Sequence, residues 1–536
     1  MNTTRKAILA VALSITTVLP FSVAWATPAV IQLDQGWDAQ TREEVHHLSF
    51  GSRIVPYAWL LHLERGDSTE LLRSDTYLDS LGFIPSLAST ANPDGLPIGF
   101  SRTTDSDGEV WAGLTCAACH TGELSYQGQS VLIEGGAALI DYSGLEQALV
   151  DALTVTLADA QKFARFAGRM QASDAVALRG LLEQRLAYLK QRQLVNASAT
   201  PYGHGRLDAF GQIFNTVAVE LLGLADNARP ADAPVSFPFL WDAPHLDLVQ
   251  WNGSAPNQAP GPLVQNVTTA LAVYGTAALK GHSGTAGYPS SVELLNLGTL
   301  QDHLYHLQAP LWPASVLGPL DETLRQRGET LYGDNCLSCH GLSDRQQPDR
   351  ELRSILVPLA DIGTDTTMAR NFIDAKAATG VLEGRRQMVL SGSRFGAEAR
   401  TVDLVIHAAI GASLRHPLDA VQASLEGYHA VYSAQVSSNP EFYKARPLSG
   451  IWATAPYLHN GSVPSLHDLL LPPDQRPASF GLGSRELDPV KVGYVDDASG
   501  DRFNTRLAGN GNGGHLYGTG LNDADRLALI EYLKSL

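Results

Sequence analysis

Two short stretches hold residues whose types and spacing can do chemistry. Cys116-Ala-Ala-Cys119-His120 and Cys336-Leu-Ser-Cys339-His340 between them use all four cysteines of the chain. Two thiols separated by two residues, with a histidine directly after the second, follow the attachment pattern of c-type haem. Each thiol can form a thioether to one edge of the macrocycle, and the histidine then lies under the ring with a nitrogen free for iron. A redox-active CxxC pair has no need of that histidine, a zinc site would have to join two cysteine pairs far apart in sequence, and a disulfide leaves both histidines unexplained. The spacing therefore predicts two covalently bound c-type haems, attached through Cys116, Cys119, Cys336 and Cys339. His120 and His340 are their first iron ligands.

What such haems do turns on the sixth iron position. A second protein ligand suits electron transfer, whereas an open position can bind dioxygen or peroxide. Methionine is scarce, with four in the chain including Met1; Met368 and Met388 follow the second motif but read as packing residues. His515 lies in "GNGNGGHLYGTGL", where glycines let the backbone come close to a flat cofactor; a solvent-exposed loop histidine is the plainer reading. His459 sits beside a turn at Asn460-Gly461. For the first motif, His46, His47 and His62 are available.

Haem attachment of this kind takes place outside the cytoplasm, and the opening residues fit export. Arg5 and Lys6 precede an apolar stretch to about Trp25, and Ala24-Trp25-Ala26 offers a cleavage site, so residues 1–26 read as a signal peptide and the protein as periplasmic or secreted. Thr16, Thr17 and Pro20 interrupt the stretch, and no later segment has the unbroken apolar length of a membrane span, so an integral membrane protein is not expected. A net charge of −17 over 536 residues argues against nucleic acid as a partner and would suit a basic electron-donor protein.

The expected fold is mainly α, with two cytochrome c-like haem domains. Residues 27–315 would form an N-terminal one elaborated by extra helices, loops and a small hairpin, and 316–536 the C-terminal one. Residues 143–194 repeat leucines at helical spacing, among them Leu181, Leu182, Leu186 and Leu189, and predict two or three helices. "ELSYQGQSVLIEGG" alternates polar and apolar residues about Gly128, as a hairpin does. Frequent prolines between Pro230 and Pro262 predict an irregular crossing. Around the second motif, Leu324, Gly328, Leu331 and Tyr332 predict a helix before it. Asn522 caps a last helix with Leu527, Ile530 and Leu533 on one face.

"ARPLSGIWATAPYLHNGSVPSLHDLL" resembles the Tyr-x-x-His-Asn-Gly block of the di-haem cytochrome c peroxidase and MauG superfamily, with the tyrosine two residues before the histidine rather than three. Together with "GSRIVPYAWLLHLE", "GLTCAACHTG", "VQWNGSAPN", "VPLADIGTD" and "GHLYGTGL" it is similar to the rubber oxygenase branch and its fatty-acid dioxygenase relatives. The resemblance implies that the His120 haem keeps an open face for dioxygen and that His515 closes the His340 haem. It implies that Trp251 relays an electron between them, a position an ordinary buried tryptophan would also fill. It further implies that Tyr457 and His459 orient groups around the second haem. One departure stands out: no phenylalanine lies between Asn252 and Val273, where that branch places one over its oxygen-binding haem, which leaves a smaller substrate than polyisoprene open.

Two function classes follow. One is a di-haem dioxygenase that adds dioxygen to a carbon–carbon double bond of an apolar substrate, polyisoprene-like or an unsaturated fatty acid. The other is a di-haem peroxidase that reduces hydrogen peroxide with acid/base help from groups such as Glu123 or Glu134. A two-haem electron-transfer cytochrome is a third possibility.

Overall fold

The computed structural model of the protein describes residues 30–427, 440–497 and 500–536. The expected leader lies outside them. The chain is mainly helical, with strands confined to small sheets of two or three members. No helix among the described residues is long and apolar enough to cross a membrane.

The first motif forms one short helix, Cys116–His120, set directly between the strands Val110–Leu114 and Thr121–Tyr126. Thr115 ends the first strand and caps the helix, its hydroxyl accepting the Ala117 N–H at 3.2 Å. The strand before the motif pairs antiparallel with Val55–Pro56 and Phe100–Thr104. The strand after it forms a hairpin with Gln129–Glu134, and Ile31–Gln32 joins that hairpin in parallel. Gln127 and Gly128 make the turn at φ 50° and 79°, the paired positive values of a two-residue hairpin loop. This is the hairpin expected from the alternation, and it grips the motif between two sheets.

The leucine-rich region folds as three helices, Tyr142–Ala158, Ala160–Arg169 and Ala175–Val195. Leu182, Leu186 and Leu189 are buried and share an apolar cluster on which Cys119 packs. Leu181 is 54% exposed, because the buried stripe follows the i, i+4, i+7 spacing and leaves its neighbour on the outer side. Residues 230–262 cross the molecule as short strands and turns, one of them the 3₁₀ turn Ala243–His245, as the prolines imply.

The helix Glu322–Asn335 leads into the second motif and crosses the last helix, Asp523–Lys534. The crossing is tight at Gly328, where a Cβ would run into the Ala528 carbonyl. Gly328→Ala should therefore lower stability by about 1–3 kcal/mol, the usual cost of forcing an added methyl into a packed contact, readable as a lower thermal midpoint. Asn522 caps the last helix by accepting the Asp525 N–H at 3.0 Å. Its buried face corrects the expected one: Leu527 is 38% exposed, while Ala528, Leu529, Ile530 and Leu533 are buried. Docking Ala528 on Gly328 turns the stripe one residue onward.

A single apolar cluster joins the two motif regions. It takes Leu124 and Val131 from the hairpin, Trp37 and Leu300 from between, and Tyr332, Trp452, Leu529 and Leu533 from the second region.

Candidate functional site

Both motif histidines are oriented in the same way. His120 Nδ1 lies 2.9 Å from the Pro238 carbonyl, and His340 Nδ1 lies 2.8 Å from the Arg446 carbonyl. A carbonyl only accepts, so each Nδ1 carries the proton and each Nε2 keeps its lone pair, the form that binds iron. Burial pushes His120 down to about 4 and lowers His340 as well, so both rings are neutral at pH 7. Burial pushes the thiols the other way, Cys116 and Cys336 up to about 11 and Cys119 up to about 12. A redox-active CxxC pair depends on a depressed thiol, so this direction speaks against exchange chemistry.

The second motif opens onto a cleft of about 1290 Å³ whose wall includes Cys336, His340, His515, Trp251, Tyr457 and His459. Six of the residues singled out from sequence meet there. The His340 and His515 ring centres stand 6.3 Å apart. An atom ligated by two imidazole nitrogens at about 2.0–2.1 Å each, with each ring centre about 1.1 Å beyond its nitrogen, separates the centres by about 6.2–6.4 Å. The observed spacing fits one iron between them. Burial, the nearby His340 and Arg476 push His515 down to about 4, again the neutral form.

The glycine-rich loop presents His515 as its glycines suggest. Gly514 has φ 69° and passes so close to Gly363 that a Cβ would collide with its backbone, and His515 itself sits at φ 48°. Two side chains hold this strained turn. The Arg476 guanidinium donates to the carbonyls of Asn512 at 2.7 Å, Gly514 at 2.9 Å and His515 at 3.1 Å. The Asn460 amide donates to Gly509 at 3.0 Å and Gly511 at 2.9 Å. Neither role was visible in the sequence, where nothing singles out Arg476 and Asn460 reads as half of a turn inside the His-Asn-Gly block.

His459 stacks on Tyr443, ring centres 4.2 Å apart, and burial pushes it down to about 4. Tyr457 is buried, its hydroxyl 3.4 Å from the Ile451 carbonyl, and burial raises it. Trp251 is partly buried and donates its indole N–H to the Ser236 carbonyl at 3.2 Å. Met368 belongs to a separate apolar cluster with Val235 and Leu359, and Met388 is 44% exposed on an outer loop.

The first site is different. Beside Cys116 and His120 lies a narrow gap walled by Trp37, Val45, Leu240, Leu300 and Leu304. The ring in contact with His120 is that of Phe237, 6.3 Å away at 65°. His46 is engaged by Glu134 at 2.9 Å, His47 by the Phe100 carbonyl at 3.0 Å, and His62 ends the helix Tyr57–His62. Among the described residues no imidazole makes a ring contact with His120.

One residue that the sequence did not signal connects the two sites. Arg446, whose carbonyl holds His340, sends its guanidinium to the carbonyls of Phe239 at 3.0 Å and Trp241 at 2.8 Å and lies 3.7 Å from the centre of the Phe239 ring. Pro238, which holds His120, is the next residue in that strap.

Comparison with known proteins bears on these sites. A family model described as RoxA-like, cytochrome c-like matches residues 442–481, the segment that contains Tyr457, His459 and Asn460. The uncharacterized protein y4iJ of Sinorhizobium fredii (strain NBRC 101917 / NGR234) is 32% identical over 574 residues, covering 95% of this chain and 93% of that one. A second protein of that strain, y4iM, is 28% identical over 309 residues, covering 57% of this chain and 60% of its own length. A cytochrome c-like segment implies c-type haem with iron, and a haem oxidoreductase is the class of protein that goes with it.

Proposed function

Because this chain belongs to the family of the rhizobial protein y4iJ and carries a RoxA-like segment, we propose that it is an exported di-haem dioxygenase that adds dioxygen to a carbon–carbon double bond of an apolar substrate. The observation that carries this reading is the contrast between the two motif histidines: His340 has a second imidazole 6.3 Å away, and His120 has none among the described residues. In this reading residues 27–315 hold the first haem and 316–536 the second, and a basic electron-donor protein is a fitting partner for the acidic surface.

Haem bound at the first site would supply the chemistry that activates dioxygen. The protein's own contribution is placement and exclusion of water. His120 offers Nε2 with its tautomer fixed by Pro238, and Trp37, Val45, Leu300 and Leu304 keep the surroundings apolar. At the second site His340 and His515 are the residues that would hold the iron, Trp251 in the cleft wall would carry an electron, and Tyr457 and His459 would orient the groups around them.

The peroxidase alternative needs a free acid or base beside the first haem. Glu134 is instead bonded to His46 at 2.9 Å and Glu123 to Arg485 at 2.9 Å, and neither lines the gap beside His120. Oxygen uptake and product analysis on the purified protein, offered polyisoprene latex or an unsaturated fatty acid without peroxide or reductant, tests the proposal. Oxygen consumption with new carbonyl or hydroperoxide products is the expected result. Peroxide turnover with a reduced cytochrome, and no oxygen uptake with either alkene, would transfer the protein to the peroxidase class.

A further inference from the structure

Away from both motifs, residues 281–285 and 385–394 border a cleft of about 920 Å³ that brings together Arg385, Arg386, Arg394, His282, Ser283 and Thr285. No aspartate or glutamate lines it. The partners of the three guanidiniums are uncharged oxygens. Arg385 Nη1 donates to the His282 carbonyl at 2.9 Å and the Tyr288 hydroxyl at 3.0 Å, Arg386 Nη1 to the Gly392 carbonyl at 3.1 Å, and Arg394 Nη1 to the Gly384 carbonyl. In a chain of net charge −17, three cations line this one cleft, Arg386 and Arg394 exposed to solvent, with no carboxylate among its lining residues. Their mutual repulsion favours an anion between them.

The cleft is built rather than incidental. His407 Nδ1 lies 2.9 Å from the Arg386 carbonyl, so that nitrogen carries the proton and Nε2 accepts from the Tyr288 hydroxyl at 2.8 Å. The Tyr288 oxygen is then left to accept from Arg385. Tyr288 and His407 are fully buried, and this directed chain fixes Arg385 and the backbone at Arg386 before any ligand arrives. The loop between the arginines holds Val389 at φ 62°, a conformation a β-branched residue rarely adopts and one that concentrates at ligand clamps. Met388 and Leu390 stand exposed on the same loop, an apolar rim beside the charges.

We propose that this cleft is a binding site for an oxyanion, the carboxylate or phosphate group of a ligand, gripped by Arg385, Arg386 and Arg394. Guanidinium forks match both groups and bind them by paired, charge-assisted hydrogen bonds. The assignment is independent of the haem reading and survives its failure.

Isothermal titration calorimetry of the whole protein at constant ionic strength, with inorganic phosphate and separately with octanoate, reads the site. Saturable binding of at least one is expected, weakened about tenfold or more in the double variant Arg386→Gln/Arg394→Gln. Phosphate alone identifies a free anion as the natural ligand class, and octanoate alone a carboxylate whose tail lies on Met388 and Leu390. Since these arginines also brace their loop, Ser283→Glu is the second variant. It keeps every guanidinium anchor, places a carboxylate in the cleft, and should weaken binding to a similar extent. No saturable binding of either probe, or binding that both variants leave unchanged, overturns the site.

Discussion

Replacing His515 by alanine should convert the second haem site from closed to open, with a complete change of its visible spectrum and new binding of carbon monoxide, while both haems stay covalently attached. The thioether positions Cys336 and Cys339 are untouched by the substitution, and His340 keeps its Arg446 anchor at 2.8 Å. Only the imidazole across the cleft is lost, at the spacing that fits a shared iron. His515 is held by its own backbone bond to Ile362 at 2.8 Å and by Arg476, while His459, the other imidazole of the cleft wall, is stacked on Tyr443. Absorption spectra with and without carbon monoxide check this, alongside a haem stain after denaturing electrophoresis. A variant spectrum identical to that of the parent protein would remove His515 from the ligand set.

Arg446→Lys should disturb both sites from a single position. The arginine reaches the Phe239 and Trp241 carbonyls through two separate nitrogens of one planar fork that also lies on the Phe239 ring, a geometry the compact ammonium of a lysine does not reproduce. A buried carbonyl left without a donor costs about 1–3 kcal/mol, which sets the expected loss of stability. The strap that moves in response begins at Pro238, the anchor of His120, and the substituted residue carries the carbonyl that anchors His340. Hydrogen bonds to the far nitrogen of a ligating histidine set its orientation and basicity. Redox titration followed by absorption should therefore show both haem potentials displaced. A change confined to the second haem would mean that Pro238 holds its place without Arg446.

The two motifs were legible because haem attachment, as proposed, requires local spacing. Cys116, Cys119 and His120 must be neighbours in sequence to serve one cofactor, so the motif survives reading in one dimension. His515 was legible for a related reason, since glycines concentrate where the backbone passes close to other atoms, as Gly514 does against Gly363. The hairpin and the three leucine-rich helices followed from periodicity, as did the cap at Asn522. Periodicity could not say which neighbour a helix would meet, and Leu527 was misplaced for that reason. Arg446, Arg476 and Asn460 were illegible because each acts on backbone carbonyls distant in sequence, and a carbonyl has no identity in a residue string.

The apolar cluster that joins the two motif regions also fixes an order of events. Ile31–Gln32 has no strand to join until Val131 and Leu132 have been made, and the side of the cleft carrying Leu529 and Leu533 is made after the second motif. Each cysteine pair is therefore flanked by structure from nearby sequence and closed by residues made later, Leu300 and Leu304 at the first and the helix Asp523–Lys534, docked on Gly328, at the second. Under the proposed di-haem reading, loading of either site would precede the arrival of those late walls, and until then both thiol pairs would stay open to premature oxidation.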